Sequence, residues 1–414
     1  MPNKLPKNCP SNPPPAIPKS IWALGFATLL INVSSAIIFS LSSVYMKTIL
    51  GVATGWIGFL EGAVEACAYG TKVFSGIFSD YLRRRKSIMV CGFALVTLAR
   101  PILAISSSFG AVFTARLLDR VGNGIQSTPR DALVGDISPS AIRGTCYGLR
   151  QSLATAGSFF GGIIGVGAMV WTAENFQHVF WIATIPAVLA FIILVLAVKE
   201  PTRAEEIDIK TKKPARHPIH WDDLIRLGKP YWLLMIVAGI FMLSRVSEAM
   251  LILHAHQNFG LSVKYTPLIL ILYNGTNSLA SYPIGKLSDK IDRRILLGFG
   301  FIVLIIADIL LGWAPNIFVM MTGVAIWGIQ IGITQSMFLA LVADTVPDDL
   351  RGTGFGFFYL VSAVSLVLAS TIGGMIAQCY TEHVTFMVSS VIASIALIGL
   401  IIMAKSTKKK PVQM

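Results

Sequence analysis

Charge is what this 414-residue chain has least of: Asp, Glu, Lys and Arg make up 13% of it, about half the share usual in soluble globular proteins. That shortage excludes most soluble folds. Cysteine is scarce and scattered: Cys9, Cys67, Cys91, Cys146 and Cys379 form no CxxC pair. Neither a disulfide framework nor a zinc site is suggested, and the five read as reduced filler. No GxxxxGK[ST] loop, GxSxG elbow or HExxH helix occurs, which argues against ATP hydrolysis by this chain and against an enzyme. The first residues, MPNKLPKNCPSNPPPAIPKS, lack the basic stub, short apolar core and cleavage site of a signal peptide. Pro-rich and polar, residues 1–19 read as a disordered cytoplasmic tail.

Apolar residues are what the chain has in excess, at 54% with a mean hydropathy of +0.69. The net charge of +13 would suggest nucleic acid in a soluble protein; with this hydropathy it points to a membrane, and no nucleic-acid partner is expected. About 20 apolar residues cross a bilayer as a helix. Such segments fall near 21–46, 54–79, 87–106, 109–137, 144–168 and 176–198, and again near 230–256, 264–289, 294–313, 316–346, 353–378 and 384–404. In lipid each span must satisfy its own backbone hydrogen bonds. The expected fold is therefore all-α, with twelve transmembrane helices in two six-helix halves, 20–198 and 230–404. A basic linker, 199–229, joins the halves, and 405–414 is a second tail.

Lys and Arg set the orientation. The tails and even-numbered connections hold 25 of the 34, and the odd-numbered connections hold only Lys47 and Lys264. By the positive-inside rule both termini and the linker are cytoplasmic.

The chain repeats itself. GIFSDYLRRRK at 76–86 returns as GKLSDKIDRR at 285–294, and LVGDISPSAIRGTCYG at 133–148 aligns without gaps on LVADTVPDDLRGTGFG at 341–356. Two independent matches at nearly one offset predict two halves of the same topology.

These motifs resemble the major facilitator superfamily of secondary transporters, across essentially the whole chain. Gly76, Asp80, Arg84 and Arg85, repeated by Gly285, Asp289, Arg293 and Arg294, match its motif in loops 2-3 and 8-9, with Arg83 and Asp292 where a Gly is usual. Arg120 and Gly124 match its Arg-x-x-x-Gly motif, linked in the family with proton coupling. Gly157, Gly161 and Gly165 resemble the Gly-rich motif of antiporters, with Gly162 in place of its Pro and Val166 in place of its last Gly. TPRDAL at 128–133 and the stretch from Glu61 to Lys72 resemble one branch of the superfamily. The resemblance implies a monomer in the cytoplasmic membrane of a bacterium, without a cofactor, that rocks two halves about a midplane site. Protons and membrane lipid would be its partners besides a small-molecule substrate.

Within that frame Asp80 and Asp289 are gating candidates, with Asp136 and Asp344 as partners of the arginines that follow; positive-inside anchoring is the plainer alternative. Ionisable groups inside a span are costly and need a reason. Glu61 and Glu65 on span 2 lie level with Arg116 and Arg120 on span 4, at about 1.5 Å per residue. They are proton-coupling candidates, or else permanent ion pairs. Lys72 sits where snorkelling towards the cytoplasm suffices, and Arg100 beside Pro101 reads as structural. Arg245 and Glu248 are spaced i, i+3 on span 7. A wet cavity between the halves is expected from Asn32, Arg120, Asn123, Arg150, Arg245, Glu248, Asn274, Asn277 and Gln330, with Tyr359 nearby. His254 and His256 are a weak metal signal, and no metal site is expected.

The arginines tilt the reading towards a small polar or anionic solute, because the guanidinium fork binds carboxylate or phosphate bidentately. Carboxylate-type iron chelates (siderophores) belong to that class. Proton-antiport efflux of drugs or metabolites and a non-transporting receptor of the same fold remain alternatives.

Overall fold

The computed structural model describes residues 16–52, 54–82, 84–173, 175–199, 221–245, 251, 254–255, 258–259, 267–380 and 382–407. Expectations for the remainder of the tails and linker, and for Glu248 and His256, lie outside these residues. Among them are twelve helices of 17 to 30 residues: α1 (Lys19–Thr48), α2 (Thr54–Leu82), α3 (Arg85–Ala104), α4 (Phe109–Ile137), α5 (Arg143–Trp171), α6 (Phe176–Ala197), α7 (Gly228–Ser244), α8 (Pro267–Leu287), α9 (Arg293–Gly312), α10 (Ile317–Thr345), α11 (Arg351–Cys379) and α12 (Glu382–Thr407). A short helix, Trp221–Arg226, precedes α7 within the linker. Eight of the twelve are long and apolar enough to cross a membrane by length and composition. Large apolar side chains such as Ile185, Leu196, Phe318 and Val391 are exposed, as lipid-facing helices require. The protein is a multi-pass membrane protein.

The repeat is kept in three dimensions. α3, α4 and α5 begin and end 208 residues before α9, α10 and α11. Start signals recur as well: Ser108 caps α4 by accepting the Ala111 N–H, and Asn316 caps α10 by accepting that of Val319. Pro139 and Pro347 each precede a single 3₁₀ turn leading into α5 and α11.

Packing obeys the same rule. In the first half α1 packs on α5 and α6, α2 on α4, and α3 on α4 and α6. In the second, α7 packs on α11 and α12, α8 on α10, and α9 on α10 and α12. The halves meet through α2 against α11 and α8 against α5, two contacts related by the same pseudo-twofold axis.

One span departs from its expected course. A continuous helix is expected to about 256, but α7 ends at Ser244 and Arg245 is extended, at φ −77° and ψ 113°. The Ser244 hydroxyl donates to the Phe241 carbonyl at 2.6 Å, and the Ser244 carbonyl is taken by Ser389 of α12. A serine that bonds its own helix, and a carbonyl claimed by a neighbour, both compete with the i to i+4 ladder.

Candidate functional site

Two carboxylates close one end of the seam between the halves. Asp80, at the end of α2, accepts the backbone N–H groups of Gly352 (2.9 Å) and Thr353 (2.6 Å) and the Thr353 hydroxyl (3.0 Å), all in the first turn of α11. Asp289, just beyond α8, does the same for α5: it accepts the N–H groups of Gly144 and Thr145, each at 2.8 Å, and the Thr145 hydroxyl. A helix N-terminus offers unpartnered N–H groups and the positive end of the helix dipole. Hydrogen bonds to an ionised acceptor there contribute about 1.5–3 kcal/mol each. The helices approach so closely because glycine faces glycine. A Cβ on Gly76 would lie 2.3 Å from the Gly352 carbonyl oxygen, and one on Gly285 2.5 Å from that of Gly144.

Arginines tie the two ends together. Arg85 reaches Asp80 at 3.4 Å and Asp136 at 3.1 Å, and Asp136 takes Arg351 of the other half at 2.7 Å. In the second network Arg293 bridges Asp289 at 3.2 Å and Asp344, and Asp344 takes Arg143 of the first half at 2.6 Å. The networks differ by one step of chain: the bridging arginine is five residues after Asp80 but four after Asp289. Arg84 is consequently exposed, and Asp292 caps α9 by accepting the Arg294 backbone N–H.

Behind this closed end lies Asp131 of α4, wholly buried. It takes Arg130 at 3.2 Å and Arg150 of α5 at 3.4 Å. The Tyr359 hydroxyl of α11 donates to its carboxylate, and the Tyr147 hydroxyl donates to its backbone carbonyl at 2.7 Å. One carboxylate thus joins α4, α5 and α11 across the seam. Beside it the Lys72 ammonium lies over the rings of Tyr69 and Tyr359, 4.5 and 4.9 Å from their centroids. Among the described residues no carboxylate forms an ion pair with Lys72.

Above this floor the halves enclose a cavity of about 690 Å³, large enough for a metabolite-sized solute. Its polar lining comes from α1 (Asn32, Ser35), α2 (Glu65, Lys72), α4 (Arg120, Asn123, Ser127, Arg130), α5 (Ser158) and α8 (Tyr273, Asn274). Glu65 and Arg120 pair across it at 3.3 Å, with the Glu65 side chain 45% exposed and that of Arg120 20%. Arg116 and Arg120 both lie over the Phe39 ring, at 5.6 and 5.7 Å. Arg100 is different in kind: buried, it pairs with buried Asp119 at 3.0 Å and donates to the Ser35 hydroxyl at 2.7 Å.

The structure brings together the residues read as a gate, with Arg84 and the Arg294 side chain outside the two bridges. Of the residues expected in the cavity, Asn32, Arg120, Asn123 and Asn274 line it. Four expected there do not. Arg150 is turned onto Asp131, Asn277 accepts from Ser281, Gln330 donates to Thr334 within α10, and Arg245 stacks over Trp327 at 5.9 Å. Each is engaged by a neighbour inside the bundle instead of facing the cavity. The Glu61 side chain lies outside the described residues. His254 uses both ring nitrogens, on the Leu311 carbonyl at 3.0 Å and on Asn258 at 2.9 Å. Among the described residues no group of three His, Cys, Asp or Glu could hold a metal ion. Two residues outside the expected site acquire prominence. Asp131 was legible only as a charge adjacent to Arg130, and Lys72 turns into the cavity instead of snorkelling away.

The family model described as Major Facilitator Superfamily matches residues 24–273 and 234–413. An uncharacterized MFS-type transporter of Methanocaldococcus jannaschii is 27% identical over 384 residues, covering 91% of this chain and 93% of that one. Among solved structures, the human organic anion transporter MFSD10 superposes with a TM-score of 0.76 at 15% identity, over 92% of this chain and 99% of its own. A bacterial homologue of the iron transporter ferroportin in an outward-facing state gives 0.73 at 13%, over 93% and 99%. At such identities the two structures speak for the fold alone. With matched halves, a doubled set of contacts across the seam and a family match spanning nearly every residue, the chain belongs to the major facilitator superfamily of transporters.

Proposed function

We propose that the protein is a proton-coupled secondary transporter that moves a small anionic solute across the cytoplasmic membrane by alternating access, as a monomer. Lys72 is the observation that carries the anionic reading. Its ammonium lines the cavity with two tyrosine rings around it and no carboxylate ion pair among the described residues. An ammonium held inside a membrane bundle without a direct ion pair is costly, and a carboxylate or phosphate entering the cavity supplies a direct partner. Arg120 and Arg130 line the same space, and among the described lining residues Glu65 is the one carboxylate. The positive-inside pattern assigns the Asp80 and Asp289 end to the cytoplasm, and the described conformation is then the one open outwards.

Glu65 supports the coupling. Its partner Arg120 faces the same cavity, so an arriving anion competes for the guanidinium. The carboxylate left behind is neutralised by a proton, and solute and proton share one transport step. Counterflow in proteoliposomes with a panel of organic anions, at several pH values, tests both parts. Lys72→Met should abolish counterflow of the anion that wild type accepts, while Lys72→Arg keeps part of it. Glu65→Gln should keep counterflow and lose its pH dependence. Equal transport by the Lys72→Met protein, or a panel in which only cations exchange, would overturn the anionic reading and leave cation or drug efflux in its place. Transport into right-side-out against everted vesicles sets the direction.

A further inference from the structure

The second half holds a buried acid that neither the gate nor the cavity uses. Asp308, on α9, is 0% exposed. Its Oδ1 has no hydrogen-bond partner, and its Oδ2 lies 2.5 Å from the Ser389 hydroxyl oxygen of α12. That hydroxyl is also in hydrogen-bond contact with the Ser244 carbonyl oxygen, at the end of α7. A serine hydroxyl carries one hydrogen. If it goes to the carbonyl, which has none to offer in return, the hydrogen between Ser389 and Asp308 must come from the carboxyl group. A single arrangement then fills both contacts: Asp308 Oδ2–H donates to Ser389 Oγ, and Ser389 Oγ–H donates to the Ser244 carbonyl.

Among the described residues, the charged and titratable groups around Asp308 leave it without a counter-ion. On α12, His383 is engaged with the Gly312 carbonyl and accepts from Trp313 Nε1 at 3.0 Å. At the end of α7, the Arg245 guanidinium lies over Trp327 of α10, and α10 itself brings Gln330 and Thr334, bonded to each other. His254 is held on the Leu311 carbonyl. Among the described residues none of these forms an ion pair with Asp308, and Glu248 lies outside them. The position is also the pseudo-twofold counterpart of Arg100, whose charge is met by Asp119 and by Ser35 of α1. The equivalent acid meets the Ser389 hydroxyl and, among the described residues, no base.

We propose that Asp308 is a proton-binding site of the second half, occupied by a proton in the conformation closed at Asp80 and Asp289. The proton completes a chain that fastens the broken end of α7 to α9 and α12. Without it, the single Ser389 hydrogen can serve the carboxylate or the Ser244 carbonyl but not both, and the α7 end is released. A sodium ion is the rival occupant, since carbonyls at broken helix ends coordinate one elsewhere. Ser389 Oγ is already in hydrogen-bond contact with both Asp308 Oδ2 and the Ser244 carbonyl oxygen, which leaves no room for a cation between it and either of them.

The test needs no substrate, so its outcome is independent of the transported solute. Infrared spectra of the purified full chain in sodium-free buffer at neutral pH should contain the carbonyl stretch of a protonated carboxyl in an apolar setting. Asp308→Asn should remove that band and Glu65→Gln should leave it. Ser389→Ala keeps the acid but removes its acceptor, and should shift the band to higher frequency; it also serves if Asp308→Asn fails to fold. Absence of the band in wild type, its survival in Asp308→Asn, or its loss on adding sodium chloride at constant ionic strength would each overturn the proposal.

Discussion

Among the described residues the two halves share one skeleton and almost none of their buried charge. What is duplicated lies at the closed end: a glycine contact, an aspartate capping the opposite half's helix, and an arginine bridging to a second aspartate. What is not duplicated lies deeper. The first half carries Glu65 with Arg120, Arg100 with Asp119, and Asp131 with Arg130 and Arg150. At the matching depth the described part of the second half has Asp308 with Ser389. Contacts that close a seam with twofold symmetry are made twice because each half must grip the other. A cavity needs its chemistry only once, and among the described lining residues the first half supplies the charged ones while α8 adds Tyr273 and Asn274.

The largest effect that would test this division is expected at Asp131. Replacing it with Asn keeps the shape but leaves two buried guanidinium groups without their carboxylate, and removing one partner of a buried ionic cluster costs about 3–5 kcal/mol. Thermal unfolding of the purified protein should drop sharply for Asp131→Asn, and the double variant with Arg150→Gln should recover part of the loss. A single variant as stable as wild type would mean that the cluster is not what holds α4, α5 and α11 together.

Next in size are the gate aspartates, which put the symmetry itself at stake. Asp80→Asn and Asp289→Asn each weaken three hydrogen bonds to a helix N-terminus, so both should slow solute exchange by a similar factor, roughly tenfold for a loss of about 1.4 kcal/mol in the closed state. Binding affinity should change less than rate. Stopped-flow exchange beside equilibrium binding separates the two, and a tenfold disparity between the variants would show that one half dominates gating.

Much of this gate was legible because it is written twice: the matches at 76–86 with 285–294 and at 133–148 with 341–356 contain nearly every residue that meets across the closed end. The cavity was legible only in part. Periodicity puts Glu65 and Arg120 at one depth, but whether Arg150 or Lys72 turns inwards depends on how each helix is rotated against its neighbours, and one apolar sequence fits several rotations. Arg150 finds Asp131 and leaves the cavity, while Lys72 finds two tyrosines and stays. The break in α7 left no trace of Gly or Pro between Phe241 and Ser247, since it arises from contacts of Ser244 with other residues. α2 and α4 fall below the hydropathy of a plain membrane span because they carry the cavity's charges.

The smallest expected effect examines the one place where the duplicated gate is not an exact copy. Alignment at an offset of 209 pairs Arg84 with Arg293, yet Arg293 bridges two aspartates while Arg84 is exposed and Arg85 does the bridging. The extra residue before the bridge in the first half moves the task one position along the chain. Arg84→Ala should therefore leave stability and exchange rate within the small range of exposed charges, under about 1 kcal/mol, whereas Arg293→Ala leaves Asp344 to Arg143 alone and should slow exchange as the aspartate variants do. If Arg84→Ala instead matches Arg293→Ala in exchange rate, the sequence alignment, and not the one-residue shift, describes the working gate.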